Sequence, residues 1–130
     1  MEKYDHVAFQ VSQMDEALEF YVNKLGFTLR SRAVNEDEKE EFAFLVLGDL
    51  RLELIQDLMP AGYVKPDVKP PYCPHVAIET EDVKQMVKQL RDKEVLIVRG
   101  PLEIPGEVQW LYVADPDHNI LEYVQWDKRK

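Results

Sequence analysis

The sequence predicts an α+β fold in which two tandem βαβββ modules form a curved mixed sheet. Three observations predict it: an internal repeat, one helical stripe of apolar residues in each repeat, and strand-like segments around that stripe. With 130 residues, 45% of them hydrophobic, the chain suits one domain with a core, residues 1–130. We expect module one at about residues 1–57, a linker at about 58–73 and module two at about 74–127.

The repeat has a constant offset of 69 residues, from position 6 to position 75. The same offset aligns residues at the beginning and at the end of the two modules, which favours a duplicated folding unit. It maps His6-Val7-Ala8 onto His75-Val76-Ala77, Leu52-Glu53 onto Leu121-Glu122, Gln56 onto Gln125, and Phe42 and Phe44 onto Leu111 and Val113.

The helix of each module is predicted by apolar residues at i, i+3, i+4 and i+7, the spacing of one buried helix face. The stripes are Met14, Ala17, Leu18 and Tyr21 in module one, and Val83, Met86, Val87 and Leu90 in module two. We expect first strands at about 4–11 and 74–80, helices at about 14–25 and 82–93, and three further strands in each module. Ser12 and Thr80 are the expected helix starts, and Gly26 is placed where a helix ends on a left-handed residue.

The connections have their own composition. The stretch Asp57–Pro74 carries five of the eight prolines and predicts an extended linker. Asp115–Asn119 has turn composition and should join the last two strands, as the acidic stretch Asn35–Glu40 should join two strands of module one. The Pro and Gly residues of Arg99–Gly106 predict a loop at the rim of the sheet.

Composition limits the classes of partner and compartment. The net charge is −9, and the basic run is Lys128-Arg129-Lys130, so nucleic acid and anionic membrane surfaces are not expected partners. No apolar stretch approaches the roughly 18 residues of a membrane span. The single cysteine, Cys73, permits no internal disulfide and is expected to be a small apolar filler. We therefore expect a cytoplasmic protein.

The four repeated polar residues should share one face of the sheet in each module. Strand side chains alternate, so Leu52 and Leu54 would face the helix and Glu53 would lie on the open side with His6. The same alternation places His75 with Glu122, and the separation of the two residues is 47 in both modules, from 6 to 53 and from 75 to 122.

A carboxylate between leucines is costly unless it is paired or bound to a metal. Two imidazoles and two carboxylates suit a divalent cation such as Zn²⁺, Ni²⁺, Co²⁺, Mn²⁺ or Fe²⁺. We therefore predict His6, Glu53, His75 and Glu122 as metal ligands. A duplication that preserved these residues only for folding is the competing explanation.

These features resemble the superfamily that contains glyoxalase I, bleomycin-resistance proteins and extradiol dioxygenases, also called the vicinal oxygen chelate superfamily. The resemblance covers nearly the whole chain and includes Tyr21–Phe27 at the helix end and Tyr112–Glu122 in the final hairpin. The family usually has Gly at the position of His118, which indicates an exposed turn residue there and not a ligand. The order His-Glu-His-Glu is most similar to small bacterial glyoxalase I, in which all four residues bind the metal.

The resemblance implies a metal-dependent lyase or isomerase that acts on a small carbonyl or thiohemiacetal substrate, similar to lactoylglutathione lyase. Glu122 is the expected proton shuttle and Glu53 a second candidate. Gln10 occupies the position at which that enzyme has an Arg that binds glutathione, so the identity of the thiol cosubstrate is left open. Strand alternation adds Trp110 and Tyr112 as substrate contacts, although both could simply fill the sheet.

Two other classes stay open at this point. One is a non-catalytic binder of an aromatic or cationic compound, as bleomycin-resistance proteins are on this fold. The other is an Fe²⁺ dioxygenase of the extradiol type, for which four protein ligands leave few open positions. In family members of this length the modules commonly pair across two chains, so the resemblance also implies a homodimer with shared sites.

Overall fold

The computed structural model describes residues 1–59 and 61–128, so Pro60 of the predicted linker and Arg129 and Lys130 of the basic run lie outside the described residues. The chain falls into two compact units, Met1–Lys65 and Pro66–Lys130. Each unit holds a four-stranded mixed sheet and a helical segment. Within the described part of the chain, no helix is long and apolar enough to cross a membrane.

Unit one has the order strand, helix, three strands. Its elements are β1 (Val7–Gln10), α1 (Met14–Leu18), which continues as a π-helical stretch over Glu19–Lys24, β2 (Thr28–Asn35), β3 (Glu40–Leu47) and β4 (Leu50–Asp57). The strand order in the sheet is β1-β4-β3-β2, with β1 parallel to β4 and the other neighbours antiparallel. The first and last strands are therefore adjacent, which brings together residues that lie far apart in sequence.

Unit two repeats this arrangement. Its elements are β5 (His75–Glu79), α2 (Val83–Asp92), β6 (Ile97–Ile104), β7 (Val108–Ala114) and β8 (Ile120–Trp126), in the sheet order β5-β8-β7-β6. Again the first strand is parallel to the last. The predicted pair of βαβββ modules is confirmed, and the first strands are shorter than predicted.

The cores lie between each helix and one face of its sheet. On β4, Leu52 and Leu54 are fully buried and alternate with half-buried Glu53, as the sequence predicted. On β3 the predicted correspondence was wrong: the buried residues that match Leu111 and Val113 of β7 are Ala43 and Leu45, and not Phe42 and Phe44.

The reason for this error is the length of the last turn. Val46 pairs with Arg51 in unit one, whereas Ala114 pairs with Ile120 in unit two. The turn of unit two is therefore one residue longer, and the offset between corresponding residues is 68 from β3 to β7 and 69 from β4 to β8. The shift moves Phe42 and Phe44 to the open face of the sheet, since neighbouring strand residues point to opposite sides.

The helices begin at Met14 and Val83, within one residue of the predicted starts at about 14 and 82, but the predicted caps were wrong. The residues that precede α1 and α2 are Gln13 and Asp82, and not Ser12 and Thr80. The Asp82 carboxylate accepts a hydrogen bond from the Gln85 N–H at 3.1 Å, a regular N-cap. Gln13 makes no such bond, so the start of α1 needs another acceptor.

The predicted end of the first helical segment is confirmed, because Gly26 has φ +84°. The predicted rim loop Arg99–Gly106 was wrong, since residues 97–104 form β6. A register shift between Arg99 and Leu102 accommodates Gly100 and Pro101 without ending the strand.

The turn Asp115–Asn119 is confirmed between β7 and β8. Oδ1 of Asp115 accepts hydrogen bonds from the N–H groups of Asp117 and Asn119, each at 2.8 Å. His118 occupies the left-handed position of this turn with φ +67°, and it is half-buried where exposure was predicted. Its Nδ1 lies 2.8 Å from the Pro66 carbonyl oxygen, so it is engaged with the chain that precedes β5.

Candidate metal centre

The first pair of predicted ligands meets in unit one. His6 immediately precedes β1, and Glu53 lies opposite Ala8 where β1 pairs with β4. The His6 Nε2 atom is 3.2 Å from Oε1 of Glu53. Phe44 is the antiparallel neighbour of Glu53, and its ring meets the His6 ring edge to face at 5.1 Å. The aromatic ring limits the orientations open to the imidazole.

The second pair repeats the first in unit two. His75 opens β5, and its Nε2 atom is 2.8 Å from Oε1 of Glu122 on β8. Tyr112 is the antiparallel neighbour of Glu122 and lies 5.5 Å from the His75 ring. The Tyr72 ring packs on Tyr112 at 4.8 Å. Each unit therefore presents an imidazole, a carboxylate and an aromatic ring in the same arrangement.

The outer ring nitrogens of both histidines contact acceptors. Nδ1 of His75 is 2.9 Å from the Tyr72 carbonyl oxygen. Nδ1 of His6 is 2.7 Å from Oδ2 of Asp5. The hydrogen bond to His6 lowers the pKa of the Asp5 carboxyl, and Arg51 lowers it further. Because these oxygens accept, we assign the imidazole hydrogen to Nδ1 in both residues.

This assignment decides whether the residues fit a metal. A neutral imidazole protonated at Nδ1 directs the lone pair of Nε2 at its carboxylate partner, so two acceptors face each other. The distance of 2.8 Å between Nε2 of His75 and Oε1 of Glu122 requires a proton or a cation for that pair. A divalent cation that binds nitrogen and oxygen fits this donor set, and the Nδ1 contacts are those typical of ligating histidines.

The four predicted ligands form two pairs within the chain. In residues 1–59 and 61–128, no group of three or more His, Cys, Asp or Glu side chains could hold a metal ion. Glu53 and Glu122 are 17% and 16% exposed at their side chains, and their histidine partners are 32% and 21% exposed. Each pair is accessible from the open face, so each can supply two ligands.

The predicted substrate contacts lie on the same faces. Gln10 is an exposed residue of β1 that pairs with Ile55 and lines a groove of about 440 Å³ with Glu38, Glu40 and Asp57. Trp110 pairs with Val124 two positions along β7 from Tyr112. Both aromatic side chains are half-buried and alternate with fully buried Leu111 and Val113, so they share the face of Glu122.

Sequence reasoning missed four contributors to the site. Asp5 was adjacent to a predicted ligand, which is the signal that could have identified it. Phe44 was hidden by the change of offset, and Tyr72 acts through its backbone, which leaves no signal in the sequence. Cys73 was predicted to be a small apolar filler, but it is exposed, and its Sγ atom lies 3.8 Å from Nδ1 of His75.

Comparison with known proteins places the chain in a family. Residues 3–123 match the model of the glyoxalase/bleomycin resistance protein/dioxygenase superfamily. The lactoylglutathione lyase of Neisseria meningitidis serogroup B is 28% identical over 126 residues, which cover 92% of this chain and 88% of that protein. The lactoylglutathione lyase of Arabidopsis thaliana is 29% identical over 125 residues, and the match covers 95% of this chain. That match covers 44% of the Arabidopsis protein, so the chain spans less than half of its length.

Solved structures agree with the sequence relatives. The glyoxalase I of Leishmania major, described as trypanothione-dependent, superimposes with a TM-score of 0.74 at 25% identity. The superposition covers 96% of this chain and 87% of the Leishmania chain. Residues 3–123, which match the family model, include all four residues of the two pairs. The chain therefore belongs to the glyoxalase/bleomycin resistance protein/dioxygenase superfamily.

Proposed function

We propose that this protein is a metal-dependent lyase or isomerase that moves a proton between neighbouring carbons of a small carbonyl or thiohemiacetal compound. One observation carries the proposal: in both units the Nε2 atom of a histidine faces a glutamate oxygen while Nδ1 contacts an acceptor. A purely structural role would require a proton between the Nε2 atom and the carboxylate oxygen of each pair. Two pairs of the same residue types, each open to the outside, are better explained by a shared cation.

The proposed ligands are His6, Glu53, His75 and Glu122, and Zn²⁺, Ni²⁺, Co²⁺, Mn²⁺ and Fe²⁺ are the candidate ions. When bound, such an ion polarises the oxygens of the substrate and so acidifies the hydrogen on the carbon beside the carbonyl. The carboxylates add negative charge, which favours a divalent ion over a monovalent one.

Glu122 is the proposed proton shuttle. Its carboxylate would take the proton from the carbon that bears the hydroxyl group and return it to the neighbouring carbonyl carbon, while the hydroxyl proton passes to the former carbonyl oxygen. The hydroxyl and carbonyl groups would thus exchange places, and the overall composition would stay unchanged. Tyr112 lies beside this pair and Trp110 follows on the same face, so a substrate held by these rings would present its reacting carbons near Glu122. Glu53 is the second candidate, because it holds the same position in unit one.

The substrate side of the proposal rests on Gln10, Trp110 and Tyr112. Gln10 has no charge, and the described residues that line its groove include Glu38, Glu40 and Asp57 but no lysine or arginine, which disfavours an anionic thiol there. The two relatives named above carry lactoylglutathione lyase in their names, and the Leishmania enzyme is named as dependent on trypanothione. The thiol compound that forms the substrate of this protein should therefore be sought among several classes of thiol.

We further propose a cytoplasmic homodimer whose two sites each combine one pair from each chain. A single Cys is consistent with a reducing compartment. Neither pair offers four ligands, and a symmetric dimer would supply both pairs to each of two sites. The macromolecular partner that we propose is the second copy of the chain.

The test is an assay of the metal-loaded protein with methylglyoxal hemithioacetals of glutathione and of other thiols. Glu122→Gln keeps the size of the side chain and removes its basicity, so we expect turnover to fall roughly 100-fold to 10,000-fold while the fold persists. The matched control is Glu103→Gln, at an exposed glutamate of β6 in the same unit. Full activity in Glu122→Gln would contradict the assignment of the shuttle.

A further inference from the structure

A chain of charged side chains supports His6 from behind. Oδ2 of Asp5 contacts Nδ1 of His6 at 2.7 Å, and Oδ1 of the same carboxylate accepts a hydrogen bond from Nη1 of Arg51 at 2.7 Å. Arg51 is two residues before Glu53 on β4 and shares its face of the sheet. The sequence of contacts is Arg51, Asp5, His6, Glu53, and it links both members of the pair.

The second pair lacks this support. The residues at the positions of Asp5 and Arg51 in unit two are Pro74 and Ile120, as the 69-residue offset shows. Nδ1 of His75 meets a neutral backbone carbonyl, that of Tyr72. The two half-sites thus have the same ligands but different charges behind their histidines.

The difference matters because a carboxylate acceptor holds the Nδ1 hydrogen more strongly than a carbonyl does. It fixes the tautomer, orients the ring and increases the electron density at Nε2, which is the atom that donates to a metal. Arg51 in turn limits the rotation of the Asp5 carboxylate. A metal would therefore be bound more firmly by His6 than by an otherwise equal histidine.

A purely structural role explains the contacts less well. The side chains of Asp5 and Arg51 are 64% and 49% exposed. Ion pairs at such exposure contribute little to folding stability. Their effect should thus be visible at the histidine and small in the unfolding of the metal-free protein.

We propose that Asp5 and Arg51 are positioning residues that make His6 and Glu53 the metal-anchoring half of the site, which leaves Glu122 in the less firmly held half for proton transfer. The inference rests on the metal site of the proposed function. The two His and Glu pairs, although alike through the repeat, would then have different roles in the site.

The experiment measures the dissociation constant for Zn²⁺ and Co²⁺ by competition with a chelator at one fixed pH. Asp5→Asn keeps the shape of the side chain and removes its charge, and we expect a loss of affinity of about 10-fold to 100-fold. Arg51→Gln should lose less. The double variant should bind like Asp5→Asn alone, since Arg51 acts through Asp5.

The matched control is Asp49→Asn, at an exposed carboxylate in the turn between β3 and β4 of the same unit, which should bind like the unmodified protein. The absorption spectrum of bound Co²⁺ reports the ligand geometry, and it should change in Asp5→Asn and stay unchanged in Asp49→Asn. Thermal unfolding of the metal-free variants should match that of the control.

Two results would overturn the inference while leaving the metal site intact. One is an affinity of Asp5→Asn equal to that of Asp49→Asn. The other, a double variant whose loss is the product of the two single losses, would mean that Arg51 does not act through Asp5. An unmodified protein that binds neither ion would instead show that the proposed function is wrong, and the inference would fall with it.

Discussion

Gln125 of β8 accepts a hydrogen bond on Oε1 from the backbone N–H of Val83, the first residue of α2, at 2.9 Å. Gln56 of β4 makes the same bond to Met14, the first residue of α1, at 2.7 Å. The partners are 42 residues apart in both units. Each bond joins the strand that carries a glutamate of the site to the start of the helix that packs behind it, and it satisfies an N–H that has no partner within the helix.

Loss of either bond should lower stability. Gln56→Ala and Gln125→Ala each remove an acceptor from a helix start, and we expect the free energy of unfolding to fall by about 1–2 kcal/mol. The effect should be larger for Gln56, because Gln13 provides no side-chain cap there. Urea unfolding measures the difference, with Gln85→Ala on the exposed face of α2 as control. Equal stability of all three variants would contradict the role of the two glutamines.

Gly100 should tolerate no side chain. A Cβ there would lie 3.0 Å from the Trp110 carbonyl oxygen and 3.1 Å from the Leu111 Cα, and the residue has φ +104°. Gly26, with φ +84°, has no atom within 4 Å of such a Cβ, so Gly26→Ala is a control for backbone strain alone. We expect Gly100→Ala to destabilise the protein by about 1–3 kcal/mol more than the control does. Equal melting temperatures would show that β7 moves to accommodate the methyl group.

Tyr123 should make the protein sensitive to alkali. Burial raises the pKa of Tyr123 from 10.0 to about 12, because the phenolate is poorly solvated there. The folded state thus keeps a proton that the unfolded state loses, so the stabilising effect is complete below pH 10 and is lost as the pH rises through about 12. Tyr123→Phe should remove this part of the alkaline loss, at most about 2–3 kcal/mol.

The measurement is urea unfolding at pH 9 and at about pH 11.5, with Tyr4→Phe as the exposed control. Comparison between variants separates the tyrosine from lysines that titrate in the same range. A Tyr123→Phe protein that loses as much stability as the control between the two pH values would contradict the prediction.

Shared sites can be tested by mixing two inactive chains. A dimer of one His6→Ala chain and one Glu122→Ala chain has one site with both defects and one site with none, if each site takes its pairs from different chains. Random mixing makes about half of the dimers mixed, so about a quarter of the unmodified activity should return. If every chain formed its own site, each site would keep one defect and no activity would return.

The sequence was sufficient for the repeat, the βαβββ order and the pairing of each His with its Glu. Strand alternation and the equal separations predicted that pairing before any contact was known. The register of β3 was not predictable, because a turn longer by one residue reverses the faces of Phe44 and its neighbours. The extent of β6 was not predicted, because a bulge at Gly100 continues the strand through residues whose composition would locally end it.

Several of the contacts that support the predicted ligands form between residues that are far apart in the sequence. Gln56 and Gln125 were visible as a repeated pair, but their partners at the helix starts are distant in sequence. Tyr72 contributes a backbone oxygen, which any residue could supply. Asp5 alone carried a readable signal, a carboxylate beside an imidazole, and its importance depends on Arg51 reaching it from β4.

The central claim is that the two His and Glu pairs hold one divalent ion per chain. The most direct measurement is the metal content of the purified protein after reloading, determined by elemental analysis, beside a His6→Ala, His75→Ala double variant and a His118→Ala control. We predict about one ion per chain in the unmodified protein and in His118→Ala, and none in the double variant. An unmodified protein that stays free of metal after reloading, or a double variant that keeps its ion, would contradict this claim.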